Sequence, residues 1–216
     1  MITNNLKHRI LTSLLLVFLV LLIFSFKFIL VYTLIALGVL AFLEFTKIIS
    51  KIFISKLSRF LCNISFGLYI FIFCNIFFLF SILDGVKILL FILLAGCIAS
   101  DVGGFIFGKI FKGPKLTKIS PNKTYSGLVG SIFLTVILVN LLFFYFFQFF
   151  QSKIFFTAII TSLMCQTGDL IFSFLKRKAK IKDTGNILPG HGGILDRLDG
   201  ILLGVPFGLM TFLYIN

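Results

Sequence analysis

Acidic side chains are scarce in this chain. Only 7 aspartates and glutamates occur among its 216 residues, and charged residues of both signs make up 12%. That scarcity, with 59% hydrophobic residues and a mean hydropathy of +1.16, excludes an ordinary soluble globular domain. Cysteine is also sparse. Cys62, Cys74, Cys97 and Cys165 each stand alone in apolar runs, at neither metal-finger nor redox spacing, which reads as helix packing. No internal repeat and no polar extramembrane domain is present, so residues 1–216 read as one membrane-embedded domain.

What is abundant is apolar sequence. A helix needs roughly 20 apolar residues to cross the hydrocarbon layer. Seven such stretches are expected, at 10–26, 28–46, 60–82, 86–108, 127–149, 154–175 and 198–215, giving an all-α, polytopic membrane helical bundle. Lys27 alone separates the first two, so a re-entrant pair is the alternative there. Lys7, His8 and Arg9 ahead of an apolar run imitate a signal peptide. No small-residue cleavage site follows, and a retained span is expected.

The net charge of +13 invites a nucleic-acid reading, but the placement of the cations argues against one. All 20 lysines and arginines except Lys27, Lys87 and Lys153 fall in the N-terminal tail or in alternate loops, at 47–59, 109–123 and 176–197. This asymmetry follows the positive-inside rule. It predicts a cytoplasmic N-terminus, two large cytoplasmic loops and an external C-terminus. Some of these cations also suit anionic lipid, at ~1 kcal/mol each.

Three acids, Glu44, Asp101 and Asp169, lie inside predicted spans. A carboxylate at mid-bilayer costs about 2.5–3.5 kcal/mol, so such groups turn inward to a partner. In the predicted topology all three lie in the cytoplasmic half, as do Asp196 and Asp199 at the start of the last helix. Any one of them reads equally well as a carboxylate paired to a lysine or arginine. Gathered together they repel, and a divalent cation with oxygen ligands, Mg²⁺, relieves the repulsion. Asp196 and Asp199 are three apart and share a helical face, with Asp169 arriving from another helix and Arg197 directed toward phosphate oxygens.

The polar residues concentrate in two segments. Residues 173–200 hold six cations, Asp183, Asp196, Asp199 and His191, and the run Pro189-Gly190-His191-Gly192-Gly193 reads as a turn that lets backbone amides approach a ligand. In residues 100–127, Ser120 and Thr124 read as capping residues ahead of the fifth span, with Lys118 and Lys123 adding charge for anion capture. Plainer readings stand beside these. Gly104 and Gly108, and Gly200, Gly204 and Gly208, suit close helix packing, and a lysine-rich loop suits solvent.

Ser173, Lys176-Arg177, Lys182-Asp183, Leu188-Pro189-Gly190-His191-Gly192-Gly193, Asp196-Arg197 and Asp199 together resemble the signature of the CDP-diacylglycerol synthases, or phosphatidate cytidylyltransferases. Asp101, Gly104, Phe105, Gly108, Ile119-Ser120-Pro121-Asn122-Lys123-Thr124 and Gly127 are similar to a second segment of that family. The resemblance covers residues 100–200; residues 1–90 match mainly in hydropathy, Arg9 and Glu44. It implies condensation of CTP with phosphatidate to CDP-diacylglycerol and pyrophosphate, in phospholipid biosynthesis, at the cytoplasmic face of the inner membrane. Partners are then CTP, phosphatidate and membrane lipids, with a homodimer as an option and no nucleic acid.

By the same resemblance, Asp169 and Asp196 are the first Mg²⁺ ligands, followed by Asp199 and Asp101, with Glu44 in support. Lys176, Arg177 and His191 join Asp169 and Asp196 as catalytic residues. Asp101, Ser120, Lys123, Thr124, Lys182, Asp183 and Arg197 would contact substrate. A phosphate monoester has a second pKa of about 6, so phosphatidate needs little help from a base, and His191 better suits a phosphate oxygen or loop positioning. Two departures stand out: Phe172 replaces a customary Glu, for which Asp183 is a substitute, and Gly200 replaces a customary Ser. The alternatives are a related membrane lipid nucleotidyltransferase or polyprenol or lipid kinase, and a cation transporter. Confinement of the acids to one half of the membrane argues against transport.

Single cysteines introduced into a cysteine-free background at positions 112 and 180 should be labelled only from the cytoplasmic side, and one at 216 only from outside. Labelling of 112 or 180 from outside intact cells would overturn this topology.

Overall fold

A computed structural model of the chain describes residues 15, 18–117, 119–120, 123–185, 187 and 192–215. Its helices are α1 (Lys27–Ile52), α2 (Lys56–Ile82), α3 (Asp84–Phe111), α4 (Tyr125–Phe147), α5 (Ser152–Lys178), the short α6 (Leu195–Leu198) and α7 (Ile201–Tyr214). No strand forms among the described residues. Six stretches are long and apolar enough to cross a membrane: α1 to α5 and Leu195–Tyr214. They answer to six of the seven predicted spans, mostly with longer ends. The predicted span 10–26 lies largely outside the described residues; its described part, 18–25, is helical, and an extended Phe26 separates it from α1. The chain is a multi-pass membrane protein.

Packing divides the chain into two compact units, residues 1–79 with 175–198 and residues 80–174 with 199–216. In the first, Ala41, Phe45, Ile48 and Ile49 of α1 and Phe66, Ile70, Phe73 and Phe77 of α2 are buried at helical spacing. Phe45 stacks on Phe66 with ring centroids 3.9 Å apart. Arg59 Nε donates to Phe53 O at 2.6 Å and closes the turn between these helices. Lys178, at the end of α5, places its ammonium 5.4 Å from the Phe53 ring centre.

The second unit is built on glycine contacts between α3 and α4. A Cβ at Gly103 would stand 2.5 Å from Gly130 O, and one at Gly130 would run into Phe107. Gly104 and Gly108 face Ser131 and Gly127, so the predicted small-residue motif is a packing surface. Backbones this close allow cross-helix hydrogen bonds: Ser131 Oγ to Ser100 O at 2.7 Å and Thr135 Oγ1 to Gly96 O at 3.2 Å. Gly204 and Gly208 of α7 meet Cys97, Cys165 and Thr161 in the same manner.

The Gly130 contact can be tested against a glycine with open space around it. Gly130→Ala should lower thermal stability in detergent by roughly 1–3 kcal/mol, whereas Gly85→Ala, which meets nothing within 4 Å, should at least preserve it. Equal melting temperatures for the two variants would contradict the packing described.

Candidate functional site

In the second unit, polar residues collect along residues 165–173 of α5. Asp169 Oδ2 lies 2.5 Å from Lys123 Nζ, and its Oδ1 accepts from Ser173 Oγ, one helical turn later, at 3.2 Å. One turn earlier, Cys165 Sγ is 3.9 Å from Oδ1 of Asp101, which comes from α3. Asp199, between α6 and α7, accepts Gly200 N–H at 2.9 Å, and its carbonyl leaves no room for a Cβ at Gly168. Three predicted acids, Asp101, Asp169 and Asp199, thus border one face of α5. Lys123 reaches Asp169 from the loop between α3 and α4.

That loop is pinned by backbone bonds. Leu116 N–H donates to Lys123 O at 2.8 Å, Lys123 N–H to Ser120 O at 3.0 Å and Tyr125 N–H to Pro114 O at 3.2 Å. Lys112 and Gly113 turn the chain out of α3 with positive φ. Thr124 is the N-cap of α4, its hydroxyl accepting Gly127 N–H at 3.1 Å. Ser120 lies too far upstream to cap that helix. The amides of Tyr125 and Gly127 are already paired, and Lys123 brings a full positive charge to this end of α4. Lys118, Pro121 and Asn122 lie outside the described residues.

The first unit holds the other half of the signature. Glu44 of α1 is 1% exposed, with no cation against its oxygens among the described residues. Instead it accepts Ile194 N–H at 3.0 Å, Leu195 N–H at 2.9 Å and the Thr184 hydroxyl at 2.7 Å. Two of these donors open α6, so the carboxylate caps it from another helix. Gly185 and Gly193 lie against Glu44 where a Cβ would collide with its carboxylate. Asp196, in α6, accepts Lys176 Nζ at 2.7 Å on Oδ1 and the amides of Thr184 (2.8 Å) and Gly193 (3.0 Å) on Oδ2.

The Thr184 hydroxyl, 3.1 Å from Oδ2, is a fourth donor against this carboxylate. Asp196 thus ties the end of α5 to Thr184 and Gly193, a positioning role. Arg177, Lys182, Asp183 and Arg197 are exposed, and Asp183 lies beside Gly192. His191, with Leu188, Pro189 and Gly190, lies outside the described residues.

Sequence reasoning missed Thr184, which binds both Glu44 and Asp196. The only local signal was its place directly after Lys182-Asp183. Phe172, at the customary glutamate position, is buried. Gly200 also has a steric reason, since a Cβ there would stand 2.5 Å from Cys165 Sγ.

Asp101, Asp169, Asp199 and Ser173 carry oxygen donors of the type that hard cations prefer. No group of three or more His, Cys, Asp or Glu converges on a metal position among the described residues. Mg²⁺ does not require one, because it binds through one or two carboxylates together with water and substrate phosphates. Asp169, with the Ser173 hydroxyl beside it, offers oxygen donors of that kind.

The Glu44 anchor can be checked directly. Glu44→Gln confronts the donors of the loop with an amide N–H, at a cost of roughly 1–3 kcal/mol for an unsatisfied buried group. Tryptic cleavage at Lys180 and Lys182 should accelerate, with Glu44→Asp intermediate. An unchanged cleavage rate in a folded Gln variant would remove Glu44 as the anchor.

The matches to known proteins follow this geometry. A phosphatidate cytidylyltransferase of Rickettsia typhi is 46% identical over 136 residues, 57% of this chain and 60% of the relative. One from Helicobacter pylori is 42% identical over 130 residues, 56% of this chain and 46% of the relative. One from Staphylococcus aureus is 44% identical over 110 residues, 50% of this chain and 42% of the relative. The matched stretch thus spans less than two thirds of these relatives' own length. The family model for the cytidylyltransferase family matches residues 7–215, nearly end to end. The chain belongs to the cytidylyltransferase family.

Proposed function

We propose that the chain is a phosphatidate cytidylyltransferase, joining CTP to phosphatidate to give CDP-diacylglycerol and pyrophosphate. The observation that carries this reading is the Lys123–Asp169 contact on a membrane-spanning helix. A phosphate-binding cation and a metal-binding carboxylate side by side suit a reaction between a polyphosphate and a lipid phosphate. The names of the relatives supply the nucleotide and the lipid. The crowding of lysine and arginine into alternate loops supports an active site on the cytoplasmic face of the cell membrane.

In this mechanism a phosphatidate oxygen attacks the α-phosphorus of CTP in line. The new O–P bond forms as the bond to the β-phosphate breaks, and pyrophosphate leaves with the electron pair. Lys123 binds phosphate oxygens and neutralises charge that grows during transfer. Asp169 and Asp199 would hold Mg²⁺, which supplies further charge neutralisation when bound. Asp196 aims Lys176 and, with Glu44 and Thr184, keeps the loop in register. No side chain forms a covalent intermediate.

Purified chain given labelled CTP, phosphatidate and Mg²⁺ should release CDP-lipid and pyrophosphate, stop on chelation and resume when Mg²⁺ is restored. Asp169→Asn should lower turnover at least about a hundredfold without unfolding the protein. Near wild-type turnover in that variant would make the acid cluster structural. A phosphorylated alcohol with release of CDP would instead identify a lipid kinase.

A further inference from the structure

Asp169 already has a cation. The Lys123 ammonium lies 2.5 Å from Oδ2, so it stands where a divalent ion ligated by that oxygen would stand. The pair is partly open, with the lysine side chain 22% and the aspartate 31% exposed, which leaves it free to exchange partners. Backbone bonds to Leu116 and Ser120 hold the lysine's main chain, while its flexible stem lets the ammonium move.

Building on the function proposed above, we propose that Lys123 is a resident counter-ion that couples metal binding to nucleotide binding. In the nucleotide-free protein, Mg²⁺ must displace the ammonium from Asp169 before that oxygen can ligate it. When a polyphosphate arrives with the metal, the lysine moves from Asp169 to a phosphate oxygen, and the vacated carboxylate oxygen faces the metal. A magnesium–nucleotide pair is net negative, so the released lysine offsets its charge. Each ligand therefore strengthens the other's binding, reciprocally. The inner cation excludes bare metal while leaving the carboxylate compensated.

The test uses Mn²⁺ as a spectroscopic stand-in, with the free ion counted by paramagnetic resonance and the full chain held in lipid nanodiscs. Without nucleotide, Lys123→Met should bind Mn²⁺ about tenfold more tightly than wild type, and added CTP should no longer enhance binding beyond its own chelation of the metal. Lys123→Arg, which keeps the cation, should bind bare Mn²⁺ like wild type. Lys115→Met in the same loop controls for the loss of one charge and should leave bare Mn²⁺ binding unchanged. Lys123→Gln gives the same reading if the methionine variant misfolds. Unchanged or weaker nucleotide-free Mn²⁺ binding on neutralising Lys123 would overturn the proposal. No turnover is needed, so a protein with this metal behaviour that makes no CDP-lipid would refute the proposed function and leave the coupling intact.

Discussion

A carboxylate in an apolar helix must find compensation at once, and Glu44 finds it, among the described residues, in two backbone amides and a hydroxyl rather than in a cation. Its two oxygens collect the first amides of α6 and the Thr184 hydroxyl. An unpaired ion at such a place is expensive in any low-dielectric surrounding. Thr184, Ile194 and Leu195 are therefore drawn down onto α1, and the glycines at 185 and 193 allow the chain to lie that close. Asp196 then has a fixed position from which to hold Lys176. The order of dependence runs from the buried acid, to the loop, to the lysine.

The second unit handles its acids differently. Close helix packing through Gly103, Gly127 and Gly130 sets the distance between α3 and α4. The short, capped entry to α4 then delivers Lys123 to Asp169. Here the compensating group is itself a reagent for phosphate. One unit neutralises a carboxylate with groups that stay in place, and the other with one that can leave.

Much of this was legible in the chain. Helix positions followed from apolar runs, because a membrane span is a long-range compositional signal that no local preference disguises. The small-residue motif read correctly as packing, and Thr124 as a cap. Ser120 failed as a cap because its distance from the helix was judged by residue type rather than by where α4 begins. Glu44 was visible only as an acid out of place, since its partners lie 140 to 151 residues away and no spacing rule connects them. Thr184 was invisible for the same reason. The attachment of Asp196 to Lys176 was open to sequence as the plainer reading of any single acid, and the structure supplies the specific partner.

Gly200 and Cys165 share one volume. The thiol stands 2.5 Å from where a Cβ at 200 would be, and the carbonyl oxygen of Cys165 stands 3.1 Å from the same point. A side chain at 200 therefore needs the sulfur to move away and the α5 backbone to give slightly. The edge of the acid-lined face of α5 is thus a place where two positions change jointly or strain each other, for reasons of volume alone.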